Sequence, residues 1–435
     1  MKKFFNVIAV VCAFLIAGFV SCKAPSSGGG NGGGNGSGIK SNPVTTGVTV
    51  ANIAEIIAGL TEDLTIVMSG EVKPSDIASI KTAILKAKYK IDLDLSNVTG
   101  LTEIPKYGFG SCEKLCSITL PDTVTAIGDL AFFCKSLTSI NIDSNNEKYC
   151  SVEGVLFNKD KTELVIFPCG KSGLYTIPDY VKTIGRYAFY RCDKLTEFII
   201  PDSVKTIGGG AFEECTNLEK VTIGKSVESI GGSAFYGCDK LTEITIPDYV
   251  KIINDSTFNF CSNLEKVTIG KSVESIGESA FQCCYKLTEI TIPDSVETIG
   301  IQAFSTCSKL KNITIPDSVK EIKPYAFGGC TNLEKVTIGK SVETIGNYAF
   351  EVCEKLKDVT IPKSVEWLGI RAFSSCEKLT SITFEDPSGW YVVNSKDAWE
   401  NKTGGTSVDF SDPRANVSTL NSADSSSRFF KLTSE

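Results

Sequence analysis

Phenylalanine recurs every 23 residues along the middle of the chain, at positions 189, 212, 235, 258, 281, 304, 327, 350 and 373, and Phe109 and Phe132 keep the same spacing earlier. Around each one the apolar and polar positions repeat as A-F-x-x-C-x-x-L-x-x-I-x-I-P-x-S-V-x-x-I-G-x-x. One unit supplies Ala280, Phe281, Cys284, Leu287, Ile290, Ile292, Pro293, Ser295, Val296, Ile299 and Gly300. From Leu287 to Ile292 the pattern alternates, so Ile290 and Ile292 face inward while Thr291 faces out, which predicts a strand. Pro293, or a glycine such as Gly270 in other units, then turns the chain, and a second short extended piece runs through Val296 and Ile299. A glycine after it opens a turn into A-F-x-x-C, short helical or irregular. No single unit can hide its Phe, Leu, Ile and Val, so equivalent positions must stack from coil to coil.

The period holds over residues 101–384, with an irregular longer unit at 133–188. Residues 45–100 lack it but contain an amphipathic stretch from Pro74 to Lys88 and a strand-like Ile91–Leu95, which predicts an N-terminal α/β cap over the first coil. After Phe384 the repeat stops. Trp390–Val393 is expected to close the other end, and residues 385–435 form a C-terminal cap and tail whose part from Asp409 onward carries no clear signal. The fold class is therefore a mainly β repeat solenoid of leucine-rich-repeat type, with 23-residue coils, parallel strand faces and a cap at each end.

The combination A-F-x-x-C-x-x-L with I-P-x-S-V-x-x-I-G resembles the repeat of the BspA-like leucine-rich-repeat surface proteins of bacteria. The irregular unit, with Tyr149, Gly154–Thr162 and Tyr175–Pro178, is similar to that family's longer variant repeat. The resemblance implies cell-surface exposure and, in several members, adhesion to host matrix proteins or to other bacteria.

At the start, Lys2 and Lys3 precede an apolar run from Phe4 to Val20, the order of a secretory signal over residues 1–21. Its end, Phe19-Val20-Ser21-Cys22, resembles a bacterial lipoprotein signal in which Cys22 receives lipid, although Phe19 departs from the usual Leu. An uncleaved anchor and ordinary cleavage without lipid are the alternatives. Residues 22–44 are rich in Gly, Ser and Asn and read as a flexible tether. A G-x-G-x-x-G match within Gly28–Gly38 has no strand before it and no helix after it, so no dinucleotide site is expected. The protein is expected to be exported and lipid-anchored at the cell surface, on the outer membrane.

A formal net charge of -7 leaves no basic field for phosphates, so nucleic acid is not expected as a partner. The chain has no histidine, which removes the side chain most used for proton transfer near neutrality and the commonest transition-metal ligand. No catalytic residue, metal site or cofactor is expected. Gly-Lys-Ser at 224–226, 270–272 and 339–341 ends like a phosphate loop, but Glu219 stands where the first glycine belongs, and a repeated turn explains it better. Eleven of the 17 cysteines occupy one repeat position, 112, 134, 192, 215, 238, 261, 284, 307, 330, 353 and 376, and are expected to be buried free thiols. Cys116, Cys150, Cys169 and Cys283 fall off that position. A zinc site from Cys112 and Cys116 would lack two ligands.

One outward column stacks opposite charges a coil apart, Glu197, Lys220, Glu243, Lys266, Glu289, Asn312, Lys335 and Asp358, and a second column runs Asp202, Lys225, Asp248, Lys271, Asp294, Asp317, Lys340, Lys363. Opposite charges one coil apart hold register, with like charges repelling. Between them Thr222, Thr245, Thr268, Thr291, Thr314, Thr337 and Thr360 form an outward row, which suits exposed strands by propensity and would line any partner on that face. Tyr187, Tyr190, Tyr236 and Tyr285 are candidate aromatic contacts. The expected function is non-enzymatic recognition of protein or glycan ligands of a host or neighbouring cell, by a monomer. The competing reading is a structural coat or spacer without a specific ligand. If the lipid on Cys22 provides the anchor, Cys22→Ala moves the protein from the membrane to the soluble fraction with an unchanged circular dichroism spectrum; a variant that stays in the membrane identifies an uncleaved anchor instead.

Overall fold

The structure is a computed structural model that describes residues 42–393, 405–422 and 428–431. The signal segment, Cys22 and nearly all of the tether lie outside the described residues. Each regular coil contributes one longer strand, of up to four residues, and one two-residue strand. The two-residue strands pair in parallel from Thr183–Ile184 to Trp367–Leu368, while the longer ones pair in three parallel groups, Glu197–Ile200 to Glu289–Ile290, Asn312–Thr314 with Lys335–Thr337, and Asp358–Ile361 with Ser381–Phe384. Glu197–Ile200 lies beside Lys220–Ile223, with Phe198 opposite Val221 and Ile200 opposite Ile223. On the other side Thr206–Ile207 pairs with Ser229–Ile230. The alternation read from the sequence sets which side chains enter the core: in Asp358–Ile361, Val359 and Ile361 are buried while Asp358 and Thr360 are exposed.

Inside, the repeat phenylalanines stack ring on ring. From Phe212 to Phe373 neighbouring centroids are 5.2–5.5 Å apart with planes within 10° of parallel. The A-F-x-x-C segment is an irregular turn, with no helix in it. From Phe189 to Phe373 the residues two before and two after each repeat phenylalanine adopt the left-handed backbone region, as at Ser279 (φ 54°) and Cys283 (φ 59°) around Phe281. That conformation points turn N–H groups along the array: Ser279, Phe281 and Cys283 donate to the carbonyls of Ile301, Ala303 and Ser305 in the next coil. The repeat cysteine closes the same turn backward. The Cys307 thiol donates to Phe281 O at 3.2 Å, and Cys330 to Phe304 O at 3.2 Å. Cysteine here is a small apolar filler that also satisfies a buried carbonyl.

The Pro or Gly turn after the longer strand has a steric basis. A Cβ at Gly270 would stand 2.3 Å from Pro247 O, and one at Gly339 would stand 2.2 Å from Pro316 O. Glycine at these positions lets the turn approach the preceding Pro-Asp turn closely, whereas Pro201 and Pro316 follow Pro178-Asp179 and Pro293-Asp294 without it. The aspartate then accepts from the next turn, with Lys225 N–H donating to Asp202 Oδ1 (2.6 Å) and Lys340 N–H to Asp317 Oδ1 (2.7 Å).

At the N-terminal end, strands Val44–Val48, Leu64–Glu71 and Ile91–Thr99 pair in parallel and continue into the coil strands Leu115–Leu120 and Ser139–Ile142. Helices Ile53–Ala58 and Ile77–Leu85 cross between them, the second burying Ile77, Ile80 and Ile84. The irregular unit departs from the parallel pattern: Tyr149–Val152, Val155–Asn158 and Glu163–Ile166 form an antiparallel meander, and only its last strand resumes parallel pairing, with Thr183–Ile184.

The far end turns antiparallel as well. Trp390–Val393 does help to close it, but Arg428–Lys431 from the tail is the strand that pairs directly with the last repeat strand, Trp367–Leu368. Phe410 stacks on Phe384 at 4.2 Å, and Asn416, on helix Pro413–Ser422, donates to Ile382 O and Phe410 O. Lys431 and Ser388 hydrogen-bond the Asp386 carboxylate and hold its pKa down to about 2. Removing one ring from the stack leaves a cavity that both neighbours must border, so Phe281→Ala is expected to cost roughly 3–5 kcal/mol in urea unfolding. Thr291→Ala, on the outer surface of the same coil, should stay within about 0.5 kcal/mol.

Candidate functional site

The seven threonines recur as a row at one position of successive coils, six of them within the longer strands and Thr291 just after Glu289–Ile290. Thr245 is opposite Thr268 and Thr314 opposite Thr337, and all seven side chains are exposed. The row is longer than the sequence reading made it. Ile199 stands opposite Thr222 at one end, and Thr383 opposite Thr360 at the other. Ile199 is 67% exposed, an apolar residue at a position otherwise held by threonine. The departure is visible in the sequence as Phe198-Ile199-Ile200, where an unbroken apolar run conceals that the middle residue faces out.

Beside this row the first charge column is in register, Glu197 opposite Lys220, Lys220 opposite Glu243, Glu243 opposite Lys266 and Lys266 opposite Glu289. A third column, not noticed in the sequence, precedes the short strands: Lys205 pairs with Glu228 at 2.8 Å, Lys251 with Glu274 at 2.5 Å and Lys320 with Glu343 at 3.5 Å. These pairs are about half exposed, so each contributes on the order of 0–1 kcal/mol, and their regular spacing acts on register more than on stability.

The candidate tyrosines do not join the threonine row. Tyr187, Tyr190 and Tyr236 are half-buried on the A-F-x-x-C turns, and Tyr285 is exposed on the segment between Cys284 and Leu287. Tyr187 and Tyr190 meet edge to face at 5.9 Å, and Phe133 meets Tyr190 at 5.8 Å. Arg186 lies over the Tyr187 ring at 4.8 Å and Arg191 over Tyr190 at 5.4 Å. Arg191 is tied to Glu214 at 2.6 Å and Arg186 reaches Asp129 at 3.7 Å. Asp129, Phe133, Arg186, Tyr187 and Tyr190 border a cleft of about 270 Å³ lined also by Tyr149 and Glu163. Burial raises the pKa values of Tyr149, Tyr190 and Glu163.

Among the described residues no group of three or more His, Cys, Asp or Glu side chains is placed to hold a metal ion. One cysteine assignment needs correction. Cys169 lies 23 residues before Cys192, in line with the repeat position, and the two form a disulfide with Cα atoms 4.4 Å apart. The meander hid this alignment from the sequence, and neighbouring coils bring the two α-carbons within bridging range. Other repeat cysteines, among them Cys215, Cys238, Cys261, Cys284, Cys307 and Cys330, are free and buried. Burial raises the thiol pKa throughout this group, pushing Cys330 up to about 12.

A family model described as the BspA type leucine rich repeat region matches in six copies, over residues 82–181, 182–310 and 274–388. Among solved structures, a leucine-rich repeat protein from Bacteroides ovatus is 30% identical, with a TM-score of 0.45, covering 65% of this chain and 76% of its own. One from Eubacterium ventriosum is 22% identical, with a TM-score of 0.42, covering 77% and 90%. A leucine rich cell surface protein from Faecalibacterium prausnitzii is 26% identical, with a TM-score of 0.39, covering 71% and 87%. No curated protein matches the chain.

With raised pKa values the buried thiols carry almost no thiolate at pH 8. Iodoacetamide should therefore leave Cys215, Cys261 and Cys330 unmodified in the folded protein and label them after unfolding. In the same unreduced, unfolded sample Cys169 and Cys192 should remain unlabelled, as read by peptide mass spectrometry; labelling of that pair without reductant contradicts the bridge.

Proposed function

The chain belongs to the BspA type leucine rich repeat family, and we propose that it is a non-catalytic binding protein of the cell surface, exported and held to the outer membrane by lipid on Cys22. The occupants of its binding face are proteins or glycans of a host or of neighbouring cells. The observation that carries this reading is the row from Ile199 to Thr383. Apart from Ile199 it is a run of exposed, short, hydroxyl-bearing side chains at one repeat position, in parallel register within three strand groups and flanked by a column of charges that largely alternates in sign. Such a row presents many similar shallow contacts. Affinity on a surface of this kind comes from summation along several coils.

The alternating charge column supports an extended contact without a strong field, so the salt dependence of binding should be moderate, unlike that of a polybasic phosphate binder. Alternation also serves register alone, which is what a coat or spacer protein would need, and the two readings part on binding. The full chain, immobilised in detergent, is to be tested against matrix proteins, glycans and bacterial cells. The test is then repeated with internal deletions of 46 residues that keep both ends of the array and the charge alternation. Progressive loss of binding with length supports the extended face. No binding by the folded full chain favours the spacer, and abrupt loss on removing one particular coil favours a single local site.

A further inference from the structure

Between Phe132 and Phe167 the antiparallel meander interrupts the regular stacking of coils, and the interruption leaves a cleft with its own chemistry. In a regular coil five positions separate the short strand from the phenylalanine, as from Ile184 to Phe189, whereas Leu164, the partner of Ile184, is only three positions from Phe167. The coil ending in Phe167 thus lacks two residues of the turn. Phe167 still stacks on Phe189 at 4.9 Å, and Phe109 on Phe132 at 5.7 Å. The missing residues open a gap on the turn side, between Gly128–Phe133 below and Gly185–Tyr190 above.

Asp129 and Arg186 occupy equivalent repeat positions on the two sides and reach across it, as do Phe133 and Tyr190. The meander supplies Tyr149, Asn158 and Glu163 to the lining. At about 270 Å³ the cleft lies just below the usual range for small-ligand sites, roughly 300–1,000 Å³, and has room for one or two small rings.

We propose that this cleft binds a neutral sugar residue, a reading that rests on the surface-binding function and names one ligand class and its site. Aromatic side chains offer apolar faces to the C–H face of a pyranose. The Glu163 and Asp129 carboxylates accept hydrogen bonds from hydroxyls, and the Arg186 guanidinium donates to ring or hydroxyl oxygens. A cationic ligand is disfavoured, because the Arg186 and Arg191 guanidinium groups, each over one face of Tyr187 or Tyr190, already place positive charge beside these rings. An anionic one would meet Glu163, a half-buried carboxylate with no cationic side chain bonded to it among the described residues.

The test is saturation-transfer NMR on the full chain in detergent micelles, with the methyl glycosides of galactose, mannose, fucose and N-acetylglucosamine as probes, and N-acetyl-lysine methylamide as the cationic comparison. At least one glycoside should receive saturation. Its Kd should rise tenfold or more in Glu163→Gln and in Tyr187→Asn, asparagine being chosen because Tyr187 has φ 55°. Tyr187→Phe keeps the ring and should bind within twofold, and Glu297→Gln, far along the array, should match the parent. Unchanged thermal melts establish that the variants fold. The proposal is overturned if no glycoside binds, if binding survives both cleft variants, or if only the lysine derivative binds in a Glu163-dependent way. Cell and matrix binding by the deletion series is scored separately, so the extended-face reading can fail while this site stands, and the reverse.

Discussion

Every coil of this protein depends on its neighbours to bury its phenylalanine and to bond its backbone. The ring contact at about 5.3 Å is the spacing that the rest must accommodate. Parallel strands satisfy it on two sides of the coil. On the turn side the chain meets it by placing two residues per coil in the left-handed region, at an energetic cost of order 1 kcal/mol or more for most side chains. The return is that N–H groups otherwise directed inward or sideways find carbonyls in the next coil. The thiol-to-carbonyl bond of the repeat cysteine belongs to the same economy, since it satisfies the ladder phenylalanine's carbonyl within an apolar interior. Replacement by alanine would leave that carbonyl only the longer bond from within its own turn, as from Cys284 N–H to Phe281 O at 3.4 Å, and would open a small void.

The same constraint accounts for the irregular regions. Stacked coils expose an apolar end unless something different covers it, and both ends change construction: crossing helices and longer strands at one, antiparallel strands and a stacked Phe384–Phe410 pair at the other. In the middle, the meander interrupts the parallel sheet yet delivers Phe167 and Cys169 to positions where Phe189 and Cys192 can meet them. What it does not deliver is a full turn. The cleft beside Tyr187 is the direct consequence of meeting the stacking requirement with two residues too few.

How much of this is legible in the sequence follows from which contacts are periodic. Phe281, Ile290, Ile292 and Thr291 could be placed inside or outside from alternation and spacing alone, because each has an equivalent 23 residues away in a similar environment. The left-handed turn residues could not, since serine, tyrosine, arginine, glutamine and valine all occur there and none signals positive φ. The reason for glycine at 224, 270 and 339 was equally hidden. Part of it is the close approach of a neighbouring coil's proline carbonyl, that of Pro201, Pro247 or Pro316, which no single unit reveals. Arg428–Lys431 escaped notice because a four-residue strand in a polar tail has too few apolar positions to show a period. The cleft is invisible for a related reason: it is made by comparing Leu164–Phe167 with Ile184–Phe189, and that alignment emerges only once the strand pairing is known.

Repetition and its interruption also divide the chemistry available to a partner. A periodic row can vary affinity by the number of coils engaged, but it has little means of telling one register from another, because a ligand shifted by two coils meets almost the same threonines and charges. Discrimination needs a place without equivalents. The gap between Asp129 and Arg186 is such a place, built from equivalent positions that carry opposite charges and joined by Tyr149 from the meander and by Glu163, which lies in register with Thr183. A partner that touched both would be located by the cleft and held by the row, so neither surface would need to bind tightly alone.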